Sequence, residues 1–230
     1  MTELAQLAGR LVAVPLGAVA RWRGGKPMHP RGVVLDAVLE RHGGRPPFGV
    51  PWLDAVATGE VVVRMSRGAG LPAPLPDVLG VAIRMIGDDG APVDLLLSTT
   101  GRGPITRLIP VPRSDAAATY SSIMAYRSAA GPVRIAALPD APSLPSDPEP
   151  VAREAAAGGV AFRLAAAVGA GEWRPFARLR ATGARRPLEP AFRFDAVRNA
   201  PPGLTASGPM ARFREPAYAT AREVGRPTGV

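Results

Sequence analysis

The sequence predicts a mainly β protein, built as one antiparallel barrel with helices at its periphery, and three observations carry that prediction. Six to eight short runs alternate apolar and polar residues, the period of a half-buried strand. Turns rich in glycine, proline and aspartate separate them, in a chain holding 26 Gly and 27 Pro. Helical spacing is found chiefly near the two ends. A two-sheet sandwich has the same strand count and stays open at this point.

Residues 3–14 place Leu4, Leu7, Leu11 and Val12 at helical spacing before Pro15, which predicts a short amphipathic helix docking on the body. The first strand follows His29: Val33, Leu35, Ala37 and Leu39 alternate with Val34, Asp36, Val38 and Glu40. His42 falls in a Gly and Pro loop, where it is expected to face solvent without a role, and residues 54–58 read as a short turn of helix. The Val61 strand, Gly80 to Ile86 and Val93 to Ser98 come next, the last two joined by Asp88-Asp89-Gly90, a hairpin signal. Residues 114–127 are compatible with a helix capped by Ser114 or Asp115. Val133 to Leu138 is a strand, and residues 140–150 read as an exposed linker within one domain, since neither side alone has enough strands for a closed core. Val160 to Val168 and Trp173 to Thr182 form a hairpin, Ala191 to Asp195 a last short strand, and residues 209–224 a helical segment interrupted by Pro216. The chain is thus expected to be one domain, 1–230.

Composition narrows the function classes. A chain of 230 residues can bury roughly 70 to 75% of its unfolded surface. The formal charge is +9, yet 27 of the 28 basic residues are arginines spread along the chain with no basic stripe interleaved with aromatics, so no nucleic-acid partner is expected. Zero cysteines exclude disulfides and thiolate chemistry, and two histidines exclude a histidine metal cage. The longest apolar run near the N-terminus is too short for a bilayer, so a cytoplasmic protein without a membrane span is expected. Self-association stays open.

The chemistry centres on residues 60–100. Alternation sets Val61, Val63 and Met65 on one face of their strand and Val62, Arg64 and Ser66 on the other. If the second face looks inward, Arg64 needs an anionic partner, because an isolated buried charge is too costly.

These residues also carry a resemblance. Catalases have a His-Ala-Lys-Gly segment just before a barrel strand, and His29, Pro30, Arg31 and Gly32 match it in type and place. Their Val-Arg-Phe-Ser strand, glycine loop and following Gly-Phe-Ala-Val-Lys strand are matched by Val63, Arg64, Met65 and Ser66, then Gly70 and Asp77, then Gly80 to Arg84. An Asp-Leu-Val opening matches Asp94 to Leu97, with Ser98 at the family's asparagine position. Pro202, Gly203 and Leu204 precede Arg214 and Tyr218 at nearly the spacing of the family's Pro-Gly-Ile and Arg-x-x-x-Tyr. In this order, across about residues 26–225, the chain resembles a minimal member of the haem catalase-like superfamily.

The resemblance implies a catalase-like barrel, haem b as cofactor, and a peroxide or organic hydroperoxide as the small-molecule substrate. It implies His29 as general acid and base, at an unperturbed pKa of about 6.5. Ser66 would fix the tautomer of that imidazole. Arg64 would meet a haem propionate, and Tyr218 would bind iron as phenolate beside Arg214. Ser98 offers a hydroxyl where the family orients peroxide with an amide, a poorer fixed dipole that points to slow turnover. Each residue also has a structural alternative: His29 as a surface-turn histidine, Ser66 as a strand serine, Arg64 paired with Asp36 or Asp94, and Tyr218 packed on the barrel. Two other functions compete: a non-catalytic barrel holding haem or another apolar ligand, and a phosphodiester hydrolase, for which no two-metal cluster is visible.

Overall fold

The computed structural model describes residues 29–185 and 194–207. The expected helices at 3–14 and 209–224, with Arg214 and Tyr218, lie outside the described residues. Ten strands are formed: β1 (Arg31–His42), β2 (Val56–Arg67), β3 (Leu79–Ile86), β4 (Pro92–Thr99), β5 (Tyr120–Ser121), β6 (Ala125–Ser128), β7 (Gly131–Pro139), β8 (Ala161–Val168), β9 (Arg174–Ala184) and β10 (Thr205–Ser207). Eight of them close a barrel in the order β1-β2-β3-β4-β5-β7-β8-β9, with β9 returning to β1 and every pairing antiparallel. Closure removes the free sheet edges that a sandwich would keep. β6 and β10 extend outward from β7 as a short flap.

The inside of the barrel follows from side-chain parity. Val33, Leu35, Ala37 and Leu39 of β1 join Val61, Val63 and Met65 of β2, Val81 and Ile83 of β3, Leu95 and Leu97 of β4, Tyr120 of β5, Ile135 of β7 and Leu164 of β8 in one buried cluster. Each of the larger of these side chains stabilises the fold by about 1.5–3 kcal/mol on burial. The opposite parity of β2, carrying Val62, Arg64 and Ser66, therefore faces outward. The charge conflict raised by the sequence is resolved in direction, although Arg64 is still only 6% exposed.

Several local expectations are corrected. Residues 114–127 are not a helix: they form bends followed by β5 and β6. Asp115 Oδ1 accepts from the Ala117 and Leu144 N–H groups, Ser121 Oγ accepts from Ile123 N–H, and Ser122 Oγ donates to Met124 O. These side chains offer the backbone an alternative to the helical ladder, and β5 is claimed by β4 and β7. The short helix is α1 (Pro51–Asp54), earlier than 54–58, with proline at its first position where no N–H partner is needed. β2 consequently begins at Val56.

The segment 140–150 is not simply an exposed linker, because Leu144 is 2% exposed and Pro148 opens a second helix, α2 (Pro148–Ala156). α2 lays Val151, Ala152 and Ala155 against β9 and β1. The expected strand at 191–195 is described only at Phe194 and Asp195, which are not in a strand; Asp195 Oδ1 instead accepts from Val197 and Arg198 N–H in a turn. His42 is exposed at the end of β1 as expected, its Nδ1 2.9 Å from Gly43 O. Among the described residues no helix is long and apolar enough to cross a membrane.

Candidate functional site

The outward face of β1 to β4 is a lattice set by register. One cross-strand row runs Gly32, Ser66, Gly80, Ser98 and Ser121; the next runs Val34, Arg64, Ala82 and Leu96; the third runs Asp36, Val62, Arg84 and Asp94. With strands about 4.8 Å apart and same-face residues about 6.8 Å apart along each strand, the four-strand patch measures roughly 14 by 14 Å.

His29 enters this face from the residue pair before β1. Its backbone has φ 55°, unusual for a residue with a Cβ, and its N–H donates to Gly68 O at 2.7 Å. That turn lays the imidazole over Gly80: a Cβ added there would sit 2.7 Å from His29 Cε1, 3.0 Å from Nδ1 and 3.1 Å from Ser66 Oγ. Ser66 Oγ and His29 Nδ1 are 3.0 Å apart, a hydrogen bond that fixes ring orientation. Gly32 plays the matching part for Arg64, whose Nη2 would lie 2.8 Å from an added Cβ. The same Nη2 donates to His29 O at 2.7 Å, so the arginine braces the turn that carries the imidazole.

Ser98 sits directly opposite Gly80, half-buried, so the His29 ring lies in the gap between Ser66 and Ser98 left by a glycine. His29, Ser66 and Arg64 are therefore brought together by hydrogen bonds, and Ser98 shares the row of Ser66. The two carboxylates considered for Arg64 are engaged elsewhere. Asp94 takes a fork from Arg84, Nε at 2.8 Å and Nη2 at 2.7 Å, and Asp36 pairs with Arg185 at 2.6 Å. The Asp94 hydrogen bond raises the Arg84 guanidinium above its ordinary value, against the lowering effect of burial. Asp94 Oδ2 also accepts from Asp195 N–H and Asn199 Nδ2, which ties the segment from Phe194 to this face.

Gly32 and Gly80 shape the candidate site by leaving room for Arg64 and His29, a part that the sequence analysis did not assign to them, and the Gly68 carbonyl accepts the His29 N–H. The signal for the first two was a glycine within a strand pattern, which marks close approach of another group. Among the described residues no group of three or more His, Cys, Asp or Glu could hold a metal ion.

No protein-family model and no curated protein sequence matches this chain. Solved structures do. A fungal catalase is similar at TM-score 0.62 and 11% identity, over 90% of this chain and 61% of that one. Catalase A from Saccharomyces cerevisiae is similar at TM-score 0.56 and 10% identity, over 85% of this chain and 59% of that one. The chain thus spans about three fifths of the catalase chains it matches, and at these identities the likeness is one of architecture: it has a catalase-like barrel fold.

Proposed function

We propose that the chain, acting as one barrel domain, binds haem b on the outward face of β1 to β4 and slowly reduces hydrogen peroxide or organic hydroperoxides there. The observation that carries this reading is the His29 imidazole held by Ser66 over Gly80, beside the buried Arg64 guanidinium. The residues present suit such a group. Two glycines keep His29 and Arg64 low on the face, a cation is at hand for a propionate, and the partly exposed Val62, Ala82 and Leu96 supply apolar side chains beside them.

With Nδ1 committed to Ser66, proton exchange falls to His29 Nε2, which would take a proton from one peroxide oxygen and return it to the other. Ser98 would donate one hydrogen bond to the substrate, and its freely rotating hydroxyl orients less firmly than an amide. Arg64 would hold a propionate, and Tyr218, four residues after Arg214 in the sequence, would supply a phenolate ligand. Haem, when bound, supplies the iron that exchanges electrons with the peroxide.

The test is the absorption spectrum of the full chain expressed with haem supply. A Soret band is expected, together with a changed ferric spectrum in Tyr218→Phe; no Soret band after haem addition overturns the reading. The apolar side chains of the same face favour a second reading, a barrel that holds haem or another apolar ligand without turnover. Haem binding combined with peroxide turnover indifferent to His29→Ala would select it.

A further inference from the structure

The segment joining β4 to β5 departs from ordinary burial. Between residues 102 and 110 Arg107 is the one buried side chain, 2% exposed, whereas Ile105, Leu108 and Ile109 face outward. Arg107 lies 4.5 Å over the Trp173 ring and donates to Gly103 O and Gly171 O, pinning the middle of the loop to the β8–β9 turn. Both ends are pinned as well, by the Thr100 and Pro110 bridge and by the Asp77 and Arg113 bridge. A cleft of about 470 Å³ lies beside this loop, lined by Thr100, Arg102, Arg113, Ser114, Asp115 and Thr119 among others. That size is within the roughly 300–1,000 Å³ of small-molecule sites.

We propose that this cleft is a binding site for a small phosphate-bearing ligand, with the Arg102 and Arg113 guanidinium groups and the Ser114 and Thr119 hydroxyls as its donors. No hydrogen-bond or ion-pair partner among the described residues engages the side chain of Arg102 or Arg113, and a guanidinium fork matches the oxygens of a phosphate. The lining carboxylate, Asp115, pairs with neither guanidinium, its oxygens accepting instead from Ser143 Oγ, Ala117 N–H and Leu144 N–H, and its single negative charge is outnumbered by the two arginines. The lining keeps a net positive charge, and the pinned loop fixes the backbone from which the two arginine side chains extend. The cleft shares no lining residue with the His29 face.

Trp173 gives a readout independent of haem and turnover, since its Nε1 donates to Arg102 O at 2.9 Å. The experiment titrates the full chain with sodium phosphate, with glycerol 3-phosphate, and with sodium chloride at matched ionic strength, following tryptophan emission and calorimetric heat. Saturable binding of either phosphate probe, absent with chloride, is expected. The tighter of the two distinguishes a site for free phosphate from one for a phosphate ester. Arg113→Gln should weaken it by on the order of tenfold or more, as loss of a charge-assisted bond does. Arg127→Gln, an exposed arginine on β6, should leave it unchanged. Binding that chloride reproduces, or that survives Arg113→Gln with unchanged circular dichroism, overturns the proposal, as does the absence of saturation.

Discussion

Gly80→Ala isolates the geometry of the candidate site from the stability of the barrel. Gly80 lies in β3 with ordinary strand backbone, so alanine strains nothing locally and should stabilise the strand by roughly 0.5–1 kcal/mol. Its Cβ would, however, meet His29 Cε1 at 2.7 Å, where ordinary contact begins at 3.4 Å, so the ring must withdraw by roughly 0.7 Å. That displacement breaks the 3.0 Å bond between Ser66 Oγ and His29 Nδ1, a loss of about 0.5–1.5 kcal/mol. The two effects nearly cancel, and the melting temperature should stay within about 4 °C of the parent. The local consequence is larger: a catalytic group misplaced by nearly an ångström loses on the order of ten- to a hundredfold in turnover.

The assay pairs hydroperoxide turnover with nitrogen-15 NMR of the imidazoles. With only His29 and His42 in the chain, both spectra are assignable, and the exposed His42 is an internal control. The His29 nitrogen shifts should move and those of His42 should not. Unchanged His29 shifts in a folded variant would refute the placement of the ring over Gly80; moved shifts with full turnover would refute its role in catalysis.

Other perturbations address separate parts of the molecule. On the proposed function, His29→Ala should reduce hydroperoxide turnover about a hundredfold while circular dichroism is unchanged, the size of effect that loss of a general acid–base group produces. Asp94→Ala removes a fully buried carboxylate from Arg84, Asn199 and the Asp195 N–H, and should cost about 3–5 kcal/mol in urea denaturation. For Asp115, burial favours the protonated form, but the hydrogen bonds from Ser143, Leu144 N–H and Ala117 N–H outweigh it and hold its pKa below the usual 3.8. The unfolded chain therefore binds this proton more tightly, so the contribution of Asp115 is fully present above pH 3.8 and is lost as pH falls through the lower folded value. Asp115→Asn should flatten that acid limb in denaturation measured from pH 5 down to 2; an unchanged limb would contradict the hydrogen-bonded turn.

Alternation alone determined the strands around β1, β2, β3, β4, β8 and β9, because a strand half covered by a core must repeat every two residues whatever its partner is. It also placed Arg64 and Ser66 on one face with His29 just ahead of the first strand. What it could not decide was which face looks inward, since that depends on how eight strands close and not on any one of them. Local propensity failed where tertiary partners overrode it. Residues 114–127 have helix-forming alanines, but Asp115 and Ser121 bind nearby backbone N–H groups and β4 and β7 claim Tyr120 and Ser121. α2 was hidden by Pro148 and Pro150, which fall in a first turn where missing N–H groups go unnoticed. The site itself shows the same division. Residue types at 29, 64, 66 and 98 were legible, but the gap that receives the imidazole exists only because register sets Gly80, 51 positions further on, between Ser66 and Ser98. Spacing along one strand is encoded locally, whereas contact across strands is decided by closure of the barrel.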